Sequence, residues 1–197
     1  YLYAPGRGAE HATRHLVGFS GVLQVDGYVA YKQLADPRRV GGPLVLAHCW
    51  SHFRRQLYDV AKGGNAPIAS EALVRIAELY GIEEEIRGQG AEARRTARQT
   101  RTKPLVDKLK DWLEKQLARL SRGSTTADAF RYGLNHWTGL VRFLDDGRIE
   151  LDSNTVERCM RPIALSRKNA LFAGSDEGAK NWAAIASLIE TAKLNSD

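Results

Sequence analysis

Apolar residues fall along this chain in two rhythms. Near the front they form short runs. Gly21-Val22-Leu23-Gln24-Val25-Asp26-Gly27-Tyr28 and Leu44-Val45-Leu46-Ala47-His48-Cys49-Trp50 are rich in β-branched and apolar residues. Runs of this length predict two buried strands, the first broken by Asp-Gly. Tyr1-Leu2-Tyr3 predicts the end of a further strand, and Ala4 to Arg7 a turn. Short helices are expected over Glu10 to Leu16 and Val29 to Leu34, with a loop from Pro37 to Pro43. The second strand runs into a helix from Ser51 to Lys62, stopped by Gly63-Gly64.

The rhythm then becomes helical. Ile68, Leu73, Ile76, Leu79, Tyr80 and Ile86 predict a helix over 67–87. Leu105, Leu109, Trp112, Leu113, Leu117 and Leu120 form a second stripe, and Phe130, Leu134, Trp137, Val141 and Leu144 a third. All three read as core. Between the first two, Gly88 to Lys103 is nearly devoid of apolar residues and carries Arg94, Arg95, Arg98, Arg101 and Lys103. It reads as a mobile basic linker or a polar helix end. After Asp145-Asp146-Gly147 comes another helix start. Asn154 is an N-cap and Glu157 completes a capping box. Pro162 cannot donate to the Arg158 carbonyl, so a kink or an end is expected there. Ala170 to Gly174 forms an apolar connector. Ser175 or Asp176 caps a last helix, with Trp182, Ile185, Leu188 and Ile189 facing inward.

Composition narrows the class. A net charge of +6 over 197 residues favours a polyanionic partner. Two cysteines, Cys49 and Cys159, are too few for a disulfide scaffold, and a reducing cytoplasm fits. No apolar run approaches the roughly 18 residues of a membrane span, and the N-terminal stretch lacks the basic start, apolar run and small-residue cleavage site expected of a signal peptide. Neither end resembles a natural terminus, which points to a fragment.

Three places carry candidate chemistry. Asp26 ends a strand, where open α/β sheets present ligand-binding groups; it reads equally as a turn residue of an Asp-Gly pair. Glu157 lies at a helix start among Arg158, Arg161, Arg167 and Lys168. That arrangement suits a metal ion meeting a phosphate backbone, or a plain capping box with a solvated basic face. Two such acids could hold a pair of Mg²⁺ ions for in-line phosphodiester displacement. Cys49 and His52 have half of a zinc spacing, but no second pair follows. A polar strand-to-helix turn is the better reading. Arg54 and Arg55 follow on the helix and could meet phosphates, or simply face solvent.

Taken in order, these motifs resemble bacterial transposases of the insertion sequence 66 family. The residues that carry the resemblance are Val25-Asp26-Gly27-Tyr28 with Tyr31, Cys49-Trp50-Ser51-His52 with Arg54-Arg55, and Asp152-Ser153-Asn154-Thr155-Val156-Glu157-Arg158 with Arg161-Pro162. Arg167-Lys168-Asn169, Leu171-Phe172-Ala173-Gly174 and Thr191-Ala192-Lys193-Leu194-Asn195 complete the series. The resemblance implies an α/β, RNase H-like fold with a mixed sheet. Its core would occupy 1–62 and 149–197, with a helical insertion over 63–148. It also implies an Asp-Asp-Glu metal triad binding two Mg²⁺ ions, for which Mn²⁺ could substitute. Asp26 matches the second aspartate and Glu157 the third acid; Cys49 and His52 match a Cys-x-x-His signature.

The family reads Asp-Asn-Asn before the glutamate, where this chain has Asp152-Ser153-Asn154. The family's first aspartate and its amino-terminal DNA-binding and dimerising segments have no counterpart here. The resemblance therefore implies the catalytic-core portion of a DNA transposase, homo-oligomeric when intact and acting on transposon ends and target DNA in the bacterial cytoplasm. By itself this stretch is expected to bind DNA without cutting it. The alternative is a catalytically inactive DNA-binding remnant. A helical interaction module without a nucleic-acid role is disfavoured by the arginines clustered beside Glu157.

Overall fold

Two four-residue strands, β1 (Val22–Val25) and β2 (Val45–His48), pair in parallel with Val22 opposite Val45 and Val25 opposite His48. They are the centres of the two apolar runs at the front of the sequence. The computed structural model describes residues 1–6, 8–169 and 174–195, with the side chains of Ala164 and of 166–169 excepted. Arg7 and the connector residues 170–173 thus lie outside the described residues, as do the side chains of Arg167 and Lys168. The described chain is mostly helical around this small sheet. Tyr1-Leu2-Tyr3 is not a strand. None of the helices among the described residues is long and apolar enough to cross a membrane.

The chain divides into two bodies. One comprises Gly21–Tyr28 and Val45–Ser153. In it β2 passes through Cys49 into α2 (Trp50–Ala61), followed by α3 (Pro67–Glu85), α4 (Ala91–Ala97), α5 (Lys103–Leu117), α6 (Thr125–Asn135) and α7 (Trp137–Leu140). Trp50, Phe53 and Leu57 of α2 meet Ile76 and Leu79 of α3, Leu109 and Leu113 of α5, and Phe130 of α6 in one core. Burying a side chain of this size is worth about 1.5–3 kcal/mol. Trp50 anchors the cluster, because its indole N–H donates to the Leu140 carbonyl at 2.7 Å while its ring packs edge-on to Trp137 and Phe143. Gly133 lies where a Cβ would strike the Phe53 ring, so α6 approaches α2 more closely than any side chain allows. The third apolar stripe is not one helix. It breaks at His136, the C-cap of α6, and resumes as α7 and a 3-10 turn over Arg142–Leu144.

Of the two readings of the basic stretch, the polar helical one holds and the mobile linker does not. Gly88 to Lys103 forms α4 and a π-helical turn, Arg98–Thr102, that runs directly into α5. Arg98 is fully buried. Its Nε and Nη2 donate to the two Glu83 carboxylate oxygens, both at 2.7 Å, and Nη1 donates to the carbonyls of Phe143, Asp146 and Ile149. The other cations of the segment also face acids: Arg94 with Glu150, Arg95 with Glu92, Arg101 with Glu85 and Lys103 with Asp107.

The other body comprises Tyr1–Ser20, Val29–Leu44 and Asn154–Asp197. It holds α1 (Ala9–His15), a 3-10 helix over Val29–Ala35, α8 (Asn154–Asn169) and α9 (Asp176–Leu194). Arg39 gathers the carbonyls of Leu16, Phe19 and Gly42, and Tyr1 donates its hydroxyl to the Cys159 carbonyl of α8 at 2.6 Å. Asn154 is the first residue of α8, and the helix continues through Pro162. A proline forfeits one helical hydrogen bond, which is a cost and not an absolute stop. Ser175 caps α9 by accepting from the Gly178 N–H at 3.0 Å. The inward face of α9 is not the expected one. Ala179 and Ala183 are buried, whereas Trp182, Ile185, Leu188 and Ile189 are exposed.

Replacing Arg98 with Met would leave the largely buried Glu83 carboxylate with only Arg94, at 3.5 Å, and would take a donor from three carbonyls. Breaking a buried pair in this way costs on the order of 3–5 kcal/mol. Chemical denaturation of Arg98→Met should show that loss, whereas Arg95→Met, on an exposed pair, should stay within about 1 kcal/mol of the parent.

Candidate functional site

The carboxyl ends of β1 and β2 bring the first group of expected residues together. The ladder extends one step beyond the strands, with the Cys49 N–H donating to the Val25 carbonyl at 3.1 Å. Asp26 and Cys49 therefore leave the sheet at the same level. Asp26 is exposed, and its Oδ1 accepts from the Tyr28 N–H at 2.9 Å, a side-chain-closed turn. Gly27 makes that turn with φ +87°, in the left-handed region that glycine enters freely. The Asp26 carbonyl accepts from the Tyr132 hydroxyl of α6 at 3.0 Å. The turn reading of Asp26 from sequence is thus met through one carboxylate oxygen, and the other accepts no hydrogen bond among the described residues.

Tyr132 was not foreseen. Its ring lies 4.5 Å from that of His136, whose centroid is in turn 4.6 Å from that of His48 at the end of β2. Gly139 of α7 sits under His48, where a Cβ would fall on the ring. The hydroxyl of Tyr132 reaches a residue 106 positions away, and no local spacing announces such a bond. Burial and the Asp26 carboxylate push the Tyr132 phenol above its usual range, so it remains a neutral donor.

Cys49 and His52 occupy the strand-to-helix turn. The Cys49 sulfur lies 3.0 Å from the Ser51 hydroxyl and accepts from the Ser153 N–H at 3.2 Å and the Ser153 hydroxyl at 3.1 Å. The Trp50 N–H donates to the Leu151 carbonyl at 3.1 Å. These bonds pin the segment preceding α8 against the start of α2. Arg54 and Arg55 are exposed on α2; Arg55 lies 3.5 Å from Asp59, and Arg54 makes no ion pair among the described residues. In the other body Glu157 lies in the first turn of α8, exposed, with Arg158 and Arg161 exposed on the same helix. Arg158 donates to the Thr155 hydroxyl at 3.2 Å.

Burial opposes ionisation of the Cys49 thiol, but hydrogen bonds from His52, Ser153 and Ser51 outweigh it and bring the thiol down to about 7. Folding therefore favours the thiolate. The stabilisation is complete above the unfolded thiol's value near 9 and is lost as pH falls through about 7. The stability difference between the parent and Cys49→Ala should widen between pH 6.5 and 9, by at most about 2 kcal/mol. Urea unfolding at a series of pH values measures it.

Comparison with known proteins places the chain. The model of the transposase IS66 family matches residues 1–181. Among curated proteins, three uncharacterized proteins of Sinorhizobium fredii (strain NBRC 101917 / NGR234) are similar. Protein y4qI is 46% identical over 198 residues, covering 99% of this chain and 37% of its own length. Protein y4jD is 49% identical over 197 residues, covering 99% and 39%, and y4hP is 38% identical over 207 residues, covering 99% and 38%. The chain thus spans less than two-fifths of the length of these relatives. No solved structure matches it. On the family match and these identities, the chain belongs to the IS66 family of transposases.

Proposed function

We propose that this chain is the catalytic-core portion of a DNA transposase that cuts and joins transposon ends. The observation that carries the reading is Asp26, held at the carboxyl end of a parallel strand pair with one carboxylate oxygen open, in a chain of the IS66 family. On this reading the fold is an RNase H-like core, with 1–62 and 149–197 as its parts and 63–148 as a helical insertion.

Asp26 and Glu157 would be metal ligands. Hard divalent cations such as Mg²⁺ or Mn²⁺ take carboxylate oxygens, and the open oxygen of Asp26 fits that demand. Two bound ions would stabilise the attacking and leaving oxygens of the phosphodiester. The chain's own contributions are simpler. Asp26 presents its carboxylate from a turn fixed by Tyr28 and Gly27. Arg54, Arg55, Arg158 and Arg161 would neutralise backbone phosphates, and Arg167 and Lys168 extend the basic run of α8 in sequence. Cys49 and His52 would hold the turn, through the hydrogen bonds that the sulfur accepts from Ser153. The partners are transposon-end and target DNA, with a homo-oligomer as the working form in the cytoplasm.

Ion pairing divides the arginines into two groups. Arg94, Arg95, Arg98, Arg101 and Lys103 all face acids of the same body. On α2 and α8, Arg55 lies 3.5 Å from Asp59, so Arg54, Arg158 and Arg161 are the better phosphate contacts. Duplex titrations with the full-length protein should give binding that weakens steeply with salt. Converting Arg54, Arg158 and Arg161 to Ala should flatten the log–log slope by about 0.9 per lost contact, while changes at Arg95 and Arg101 leave it unaltered. Metal-dependent cleavage of terminal-repeat DNA should vanish in Asp26→Ala and in Glu157→Ala while duplex binding persists. Cleavage surviving either substitution, or a flat salt dependence in the parent, would falsify the reading. Stoichiometric zinc that disappears in Cys49→Ala would overturn the role given to Cys49.

A further inference from the structure

We infer that Tyr132 is a positioning residue for Asp26: through its hydroxyl, helix α6 fixes the geometry in which that carboxylate is offered to a divalent cation. The inference rests on the metal-ligand reading of Asp26 and adds to it a residue from the helical body.

Asp26 is restrained twice. Its side chain is held through Oδ1 by the Tyr28 N–H, and its main chain through the carbonyl oxygen by the Tyr132 hydroxyl. The first bond alone would leave the turn free to rotate as a unit about the strand end, because Gly27 has no side chain to resist. The second removes that freedom. The approach is close: a Cβ on Gly27 would lie 2.7 Å from the Tyr132 oxygen, so only glycine lets the hydroxyl reach past it to the Asp26 carbonyl.

Tyr132 is itself braced. His136, one turn later on α6, stacks against its ring and places Nδ1 2.8 Å from the Tyr132 carbonyl oxygen. The His48 ring also lies against His136, tilted with centroids 4.6 Å apart, and His48 is opposite Val25 in the sheet register, the residue before Asp26. The contacts close a ring: Val25, Asp26, Tyr132, His136, His48 and back across the ladder. Asp26 is the exposed member. Restraint of this kind matters for a metal ligand, because an ion bound by a prearranged carboxylate does not have to pay for ordering it.

The decisive variant is Tyr132→Phe, which keeps the ring on His136 and deletes only the hydroxyl. In the full-length protein its thermal midpoint should stay within about 2 °C of the parent, as expected for one lost surface hydrogen bond. Mn²⁺ affinity, read from the free-ion electron paramagnetic resonance signal, should fall by about three- to ten-fold, and the Mg²⁺ concentration for half-maximal cleavage should rise by a similar factor. Duplex affinity without metal should not move. Tyr132→Ala, measured alongside, should show the same loss of Mn²⁺ affinity with a lower midpoint. Unchanged Mn²⁺ affinity in Tyr132→Phe, in a protein where Asp26→Ala abolishes it, sinks the positioning role and leaves the metal-ligand reading standing. Unchanged Mn²⁺ affinity in Asp26→Ala removes both.

Discussion

A guanidinium with no access to water sets the terms for the larger body of this protein. Burying a charge is costly unless every donor finds an acceptor and a counter-charge lies at hand. Arg98 meets both conditions through Glu83 and three main-chain carbonyls. Those carbonyls belong to the 143–149 segment, which has little regular structure to hold it. The segment leads to Leu151, whose carbonyl receives the first N–H of α2, and to Ser153, which donates twice to Cys49. The strand-to-helix turn beside Asp26 is thus tied, bond by bond, to a charge placed in the helical core. The π turn over Arg98–Thr102 coincides with this arginine. Such turns recur where a side chain must be aimed off the regular helical spacing.

Much of this architecture could be read from the chain. The strand runs were visible because β-branched residues cluster between turn formers, α2 because Gly63-Gly64 marks its end, and α3 and α5 because their apolar residues keep helical spacing over three turns or more. The basic segment misled for a physical reason. Periodicity reports apolar burial, and Arg98 is buried by charge, so the segment carried no stripe. Its clue lay elsewhere, in the run Glu83-Glu84-Glu85, which supplies acids to the cations that follow. The last helix failed differently. Its large apolar residues have the spacing of an inward face, yet the side that packs in this body is built on Ala179 and Ala183. Small residues permit close approach, and that preference leaves no mark on a hydrophobicity pattern.

The candidate site divides along the same line. Asp26, Cys49 and the arginines of α2 and α8 are local signals: a strand end, a strand-to-helix turn and charged residues spaced along helices. Tyr132, His136 and Gly139 act across the fold. Each reads as an ordinary helical residue until the sheet is placed beside it, and only then does the absence of a side chain at Gly139 account for the seat of His48.

The contrast between a buried ion pair and exposed arginines has a consequence for how the molecule meets ionic strength. Mobile ions screen exposed charges within a Debye length of about 8 Å at physiological salt, but they barely reach a pair enclosed in protein. The Arg98–Glu83 pair, with Arg98 fully buried, lies beyond that screening. The exposed arginines of α2 and α8 lie within it. On the proposed reading, salt would act selectively on this protein: it would weaken the hold on a polyanion while leaving the scaffold's central charge pair intact. Capture and release of DNA, on that reading, would follow the ionic surroundings without any loosening of the fold.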